Sequence, residues 1–180
     1  TLLFPLPAAL LSVAAPGKPP NIITLSWVGV VNSIPPMLSV SIRPSRHSHA
    51  LVKEAGEFVL NVPADDMAAV VDGCGTLSGR DHDKFARFGL HALPSSRVQS
   101  PGVAECPLAL ECVVRQSIPL GSHEMFIAEI VAASADDEVL GPDGRVDASK
   151  LAPLCYCPGD ARYFRLGGPI AAYGFSARKR

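Results

Sequence analysis

The first third of the chain alternates apolar and polar positions with the period of two that marks β-strands. Ala8 to Ala14 is a short apolar run closed by the turn signal Pro16-Gly17. From Asn21 to Trp27, Ile22, Thr24 and Ser26 fall on one face, and Ile23, Leu25 and Trp27 on the other. Met37 to Arg43 follows Pro35-Pro36 and sets Ser39, Ser41 and Arg43 against Leu38, Val40 and Ile42, the signature of a half-buried strand. A helical pattern runs from about His49 to Ala55 and stops at Gly56. Glu57 to Val62 reads as a strand closed by Pro63, and Asp65 and Asp66 suit the first turn of a helix through Met67, Val70 and Val71. Gly73 to Gly79 reads as a Gly- and Ser-rich connection, and Asp83 to Phe88 as one or two helical turns.

The second half holds the two longest strand candidates, Leu108 to Ile118 and Glu124 to Ala133, joined by Gly121-Ser122 as a long hairpin. Asp136 to Asp147 is acidic and turn-rich around Pro142-Asp143-Gly144. Shorter strand-like pieces follow at Leu154 to Cys157 and Tyr163 to Leu166. Many strands with two or three short helices predict a mainly β fold, a closed or partly closed antiparallel β-barrel forming one domain over residues 1–180. The strand–helix alternation of a doubly wound parallel sheet is missing.

Composition narrows the partners. Only 18% of residues are charged, below the roughly 25% of an average globular domain, so part of the surface is expected to be covered, most simply by a second copy. The net charge is −1 and the one basic run, Arg178-Lys179-Arg180, is too short to imply nucleic acid. Residues 1–15 are apolar but lack a basic start and are interrupted by Pro5 and Pro7, so they do not read as a signal peptide. No stretch approaches the ~20 apolar residues that span a bilayer as a helix. The odd set of Cys74, Cys106, Cys112, Cys155 and Cys157 reads as reduced, buried thiols of a cytoplasmic protein.

The chemistry-bearing segments are four, each with an ordinary structural alternative. Gly73-Cys74-Gly75-Thr76-Leu77-Ser78 imitates a dinucleotide fingerprint but has Ser78 where the third glycine belongs, and it follows a helical rather than a strand pattern. His47 and His49 diverge and make a poor metal pair. Ser41 to Ser48 is the most informative stretch: a strand feeds a loop that opens a helix, where free N–H groups, Arg43, Arg46, Ser45 and Ser48 suit an anion. The alternative is a helix capped by Ser48 with solvated arginines. Trp27, beside Val28-Gly29, is either a platform for a planar ligand or a core residue next to a bend. The loop from Cys74 to Phe85 offers glycine amides, Arg80 and Lys84, or is a plain surface connection. His123, opening a long strand, suits guiding a proton or a nicotinamide, or is structural.

In order, these segments resemble the flavin reductase-like, FMN-binding split-barrel family, particularly its flavoredoxin branch. The matching pieces are LLFPLPAALLS (2–12), NIITLSWVGVVNSIPPMLSVSIRPSRHSHALVKEAGEFVLNVP (21–63), CGTLSGRDHDKF (74–85), ECPLALEC (105–112), GSHEMFIAEI (121–130) and YGFS (173–176). The resemblance implies a six-stranded antiparallel split barrel pairing as a homodimer, with FMN near the interface. It implies that the ring lies against Ser26, Trp27 and Val28, and the ribityl phosphate at Ser41, Ile42, Arg43, Arg46, His47 and Ser48. Asn61, Cys74, Gly75, Ser78, Gly79 and Lys84 would line the remaining edge, and His123 would stand by the nicotinamide space. Ala128, where many relatives carry glycine, and the thiols of Cys155 and Cys157 depart from the pattern. The activity so implied is transfer of electrons from NADH or NADPH through FMN to free flavin, a metal complex or a partner protein; the alternative is an electron carrier that holds FMN without nicotinamide turnover.

Overall fold

The computed structural model describes residues 2–177. In chain order the strands are β1 (Leu6–Pro7), β2 (Ala9–Val13), β3 (Asn21–Leu25), β4 (Val28–Asn32), β5 (Met37–Ile42), β6 (Glu57–Val62), β7 (Ala92–Leu93), β8 (Gly102–Val103), β9 (Leu108–Pro119), β10 (Glu124–Ala135), β11 (Leu154–Cys157) and β12 (Arg162–Arg165). Four helices accompany them: α1 (His47–Ala55), α2 (Ala68–Thr76), α3 (Lys84–Phe88) and α4 (Ala148–Leu151). The basic run at 178–180 lies outside the described residues. Among the described residues no helix is long and apolar enough to cross a membrane.

Seven strands form one antiparallel sheet in the order β3-β2-β6-β9-β10-β5-β4, one strand more than the six expected. The sheet curls so that β3 and β5 approach one another without pairing, and this unclosed seam is where the site lies. Register shifts on β10 at Ile127/Ala128 and Ile130/Ala132 mark bulges, which bend a strand and raise its twist. The expected mainly β antiparallel barrel is therefore observed, with a half-barrel curl. A second, three-stranded sheet, β1-β11-β12, stands beside it.

Both faces of β2 and β3 are buried, which explains why Ile22 and Ile23 are equally inaccessible despite pointing oppositely. Inside the curl, Leu11, Ile23, Leu38, Val40, Phe58 and Phe126 form the main core. On the outer face Leu10, Ile22, Val71, Phe85 and Leu154 form a second cluster that glues α2, α3 and the small sheet to the barrel. Glu57–Val62 and the long hairpin fall where the pattern puts them; α1 begins two residues earlier than expected. Ser48 is thus inside the first turn of α1 and does not cap it; Arg46 occupies the cap position and makes no side-chain cap bond.

The segment read as a glycine loop is instead the last part of α2, which continues through Gly73 and Gly75 to Thr76. Close packing outweighs the helix penalty of glycine here. A Cβ on Gly73 would stand 2.3 Å from the Phe88 ring, and one on Gly75 3.3 Å from Cβ of Thr24. Thr24 Oγ1 also donates to the carbonyl of Val71, pinning α2 on β3.

Candidate functional site

Two adjoining cavities open in the seam. They share Ile23, Arg43 and Arg46, so they form one continuous groove. The smaller, about 260 Å³, lies between the start of α1 and the turn before α3. The larger, about 430 Å³, runs along Ser26, Trp27 and Ser41 to His123. Together they are of cofactor size.

The smaller cavity is cationic. Arg43, Arg46, Arg80 and Lys84 line it, and no carboxylate does. Neither Arg43 nor Arg46 has an ion-pair partner among the described residues, and Arg80 Nη1 donates to the carbonyl of Ser45 at 3.2 Å. His47 registers the field: burial first, then Arg80, Lys84 and Lys18, hold its pKa below the ordinary 6.5. The N–H groups of His47 and Ser48 open α1 toward the same space, adding the helix dipole.

Lys84 opens α3 yet is only 3% exposed. Its Nζ donates to the carbonyls of Ile22 (2.8 Å) and Cys74 (2.7 Å), leaving one donor for the cavity it lines. Burial, reinforced by Arg46, lowers its pKa to about 8. Asn21 joins the two halves: its Nδ2 donates to Ser48 Oγ at 2.7 Å, and its Oδ1 lies 2.0 Å from where a Cβ on Gly79 would be. Glycine at 79 is what lets the turn close over the head of α1. Behind the site, buried His49 meets Glu124 at 2.7 Å and ties α1 to the start of β10.

The larger cavity is aromatic. Trp27 is 40% exposed, so it is not a core tryptophan, and its ring stacks on His123 at 5.9 Å between centroids and 13° between planes. His123 Nδ1 lies 2.9 Å from Ser122 Oγ, and burial with the Arg43 charge lowers its pKa. Tyr156 and Tyr163 also line it, with Asp72 in contact with the Tyr163 hydroxyl. Val28 faces a neighbouring cavity of about 270 Å³ that shares Ser26, Trp27 and Ser41.

Of the expected contacts, Ser26, Trp27, Ser41, Ile42, Arg43, Arg46, Gly75 and His123 line the larger cavity. His47, Ser48, Ser78, Gly79 and Lys84 gather in the smaller. Asn61 does not belong to the groove. It is fully buried, donates to the Leu10 carbonyl (2.9 Å) and Ser12 Oγ (3.0 Å), and accepts from the Val103 N–H (2.9 Å), which makes it a structural link between β2, β6 and β8. Cys74 contributes a carbonyl, not a thiol: its side chain sits in the second core cluster, and burial pushes its pKa up to about 11. Ala128 is wholly buried in the main core. Sequence reasoning missed Asn21, Tyr156 and Tyr163, and used Arg80 only as loop charge. An asparagine at the start of an apolar strand was the one legible signal among these.

Residues 2–165 match the model of the flavin reductase like domain. The fold is similar to the flavoredoxin of Desulfovibrio vulgaris (Miyazaki F), with a TM-score of 0.93 at 31% identity, covering 99% of this chain and 96% of that one. It is similar also to the flavoredoxin of Methanosarcina acetivorans, with a TM-score of 0.88 at 32% identity over 98% and 94% of the two chains. A further relative, the reductase component of 4-nitrophenol 4-monooxygenase/4-nitrocatechol 2-monooxygenase of Rhodococcus opacus, is 31% identical over 112 residues, which are 62% of this chain and 57% of that protein.

Proposed function

The chain belongs to the flavin reductase-like domain family, and from that premise we propose that it is an FMN-binding oxidoreductase whose phosphate and ring occupy the two ends of the groove. The observation that carries this reading is the continuity of a cationic pocket with an aromatic one through Arg43 and Arg46. When bound, FMN supplies two-electron chemistry, accepting a hydride from NADH or NADPH and passing electrons to free flavin, a metal complex or a partner protein. Arg43, Arg46, Arg80, the third Lys84 donor and the open N–H groups of α1 would hold the phosphate. Ser26, Trp27 and Ser41 would line the ring. His123, whose pKa burial and Arg43 hold below 6.5, would stand beside the ring with Nδ1 toward Ser122.

Arg46→Ala should weaken FMN binding about tenfold to a hundredfold, the worth of hydrogen bonds to a charged group. An unchanged dissociation constant in a fluorescence titration would remove the assignment of this end to phosphate. The likeness to flavoredoxins over nearly the whole chain also favours an electron carrier with tightly held FMN. Stopped-flow mixing of the loaded protein with NADH and with NADPH separates the two: rapid bleaching of the flavin supports the reductase, and none supports the carrier. A homodimer fits the outer surface, where Leu3, Phe4, Val30 and Ile34 are exposed between 55% and 91%. The five unpaired cysteines fit a reducing cytoplasm and a single domain that needs no disulfide.

A further inference from the structure

The thiols of Cys155 and Cys157 depart from the family pattern, and the groove does not use them. Both lie on β11, the middle strand of the small sheet, which pairs with β1 on one side and β12 on the other without a register shift. Two positions apart on a regular strand, they share one face. Leu154 and Tyr156 take the opposite face, toward the second core cluster and the groove. Cys155 is 7% exposed and Cys157 is half-buried, so the pair runs from the interior to the surface of the sheet. On their own face the cross-strand partners are Pro7 and Phe164 for Cys155, and Arg162 for Cys157. Arg162 has no ion-pair partner among the described residues. Burial first, then the charge of Cys157, raises the pKa of Cys155, so the two thiols stand within electrostatic reach of one another.

Strand geometry decides what such a pair can do. Residues two apart on a strand hold their Cβ atoms about 6.6 Å apart, whereas a disulfide draws its Cβ atoms to about 3.8 Å. Pairing on both sides keeps β11 from bending that far. Among the described residues no group of three His, Cys, Asp or Glu side chains is placed to hold a metal, so a tetrahedral zinc site is not formed either. A closed-shell monovalent cation needs only two thiolates in line. With metal–sulfur bonds of about 2.3 Å the two sulfurs would stand about 4.6 Å apart, which each side chain reaches by leaning inward about 1 Å. We propose that Cys155 and Cys157 form a two-coordinate site for a soft monovalent cation of the Cu(I) and Ag(I) class. Thiolates select such ions over harder ones. Binding replaces two S–H bonds with two metal–sulfur bonds and sends both protons to solvent. The bound group carries one negative charge, which Arg162 faces from the neighbouring strand, while Pro7 and Phe164 flank the sulfur of Cys155. The site lies on the face of the sheet turned away from Tyr156 and the groove, and it does not depend on the proposed function.

The test titrates Cu(I), held by the chelator bicinchoninate under argon, against the full chain. Wild-type protein should withdraw one Cu(I) per chain, and X-ray absorption should show two sulfur neighbours and no third ligand. Cys155→Ser and Cys157→Ser should each weaken binding roughly a hundredfold or more, with the circular dichroism spectrum unchanged. Cys157 is half-buried, so its variant gives the answer even where Cys155→Ser disturbs packing. The rival soft pair is Cys106 and Met67, whose sulfurs lie 4.0 Å apart in the second core cluster. It offers a single thiol, which burial pushes up to about 12, so Cys106→Ala should bind Cu(I) as the wild type does. Zn(II) should be held far more weakly than Cu(I), for want of further ligands. No withdrawal of Cu(I) from the chelator, a third ligand on the bound ion, full binding by Cys157→Ser, loss of binding in Cys106→Ala, or a preference for Zn(II) overturns the site.

Discussion

Lys84 offers the sharpest prediction, because a single proton links it to the phosphate end of the groove. Its pKa is about 8 against an ordinary 10.5, so the free protein loses that charge in the slightly alkaline range. The neutral amine still has two N–H groups, enough for the carbonyls of Ile22 and Cys74, so the local fold is kept while the cationic donor for the ligand is lost. If FMN binds the charged form, its dissociation constant should rise by about tenfold between pH 7 and pH 9, approaching one decade per pH unit. Neighbours do not produce this slope: the shift on His47 is downward from 6.5, and burial holds the Cys74 thiol near 11. The measurement is a flavin fluorescence titration at half-unit steps, with riboflavin, which lacks phosphate, as a control with no slope. Lys84→Met should bind FMN more weakly at pH 7 and lose the slope. The stability of the cofactor-free protein has the opposite sign. Lys84 binds its proton more weakly when folded, so its penalty is full below pH 8 and relieved as pH rises toward 10.5. A flat FMN affinity from pH 7 to 9, or the same slope for riboflavin, refutes the assignment of Lys84 to the phosphate.

Gly79→Ala should force Asn21 off Ser48 and cost about 1–3 kcal/mol in chemical denaturation, with a parallel loss of FMN affinity, since its Cβ would overlap Asn21 Oδ1. Asn61→Ala should cost about 2–3 kcal/mol by leaving the Val103 N–H and Leu10 carbonyl short of partners, while the FMN dissociation constant at saturating stability is unchanged. Ala152→Gly should raise the thermal midpoint by relieving the left-handed residue (φ 45°) that ends α4, worth roughly 0.5–1 kcal/mol; a midpoint that falls would contradict the strain argument.

The strands were legible because their signal is local. A period of two survives in Met37–Ile42 and Glu57–Val62 whatever surrounds them, and Pro or Gly marks their ends. The clustering at the cationic cavity was legible for the same reason: Arg43, Arg46, His47 and Ser48 lie within six consecutive positions, so strand, turn and helix start are all written in one stretch. What failed locally was α2. Gly73 and Gly75 lower helix propensity, and only the Phe88 ring and Thr24 pressing against them explain why the helix continues. Asn61 failed for the opposite reason, since a resemblance places a residue in a pattern without saying which way its amide faces.

Trp27 and His123 could each be picked out at the other end of the groove, but not their contact or the tyrosine wall, because that end is assembled by pairing. Trp27 meets His123 across nearly one hundred residues, and Tyr163 meets Asp72 across a comparable span. Neither contact leaves a spacing in the sequence; each exists because β5 pairs with β10 and because the small sheet docks on the α2 cluster. The cationic end, proposed here to take the phosphate, joins the start of α1 to Asn21, Arg80 and Lys84, so it too rests on long-range contacts. On the proposed reading the other end takes the ring and depends on strand pairing, so changes there should weaken FMN and riboflavin alike. Comparing Trp27→Ala with Arg46→Ala tests this directly: the first should weaken riboflavin and FMN alike and the second FMN alone, and a reversal would show that the two ends are wrongly assigned.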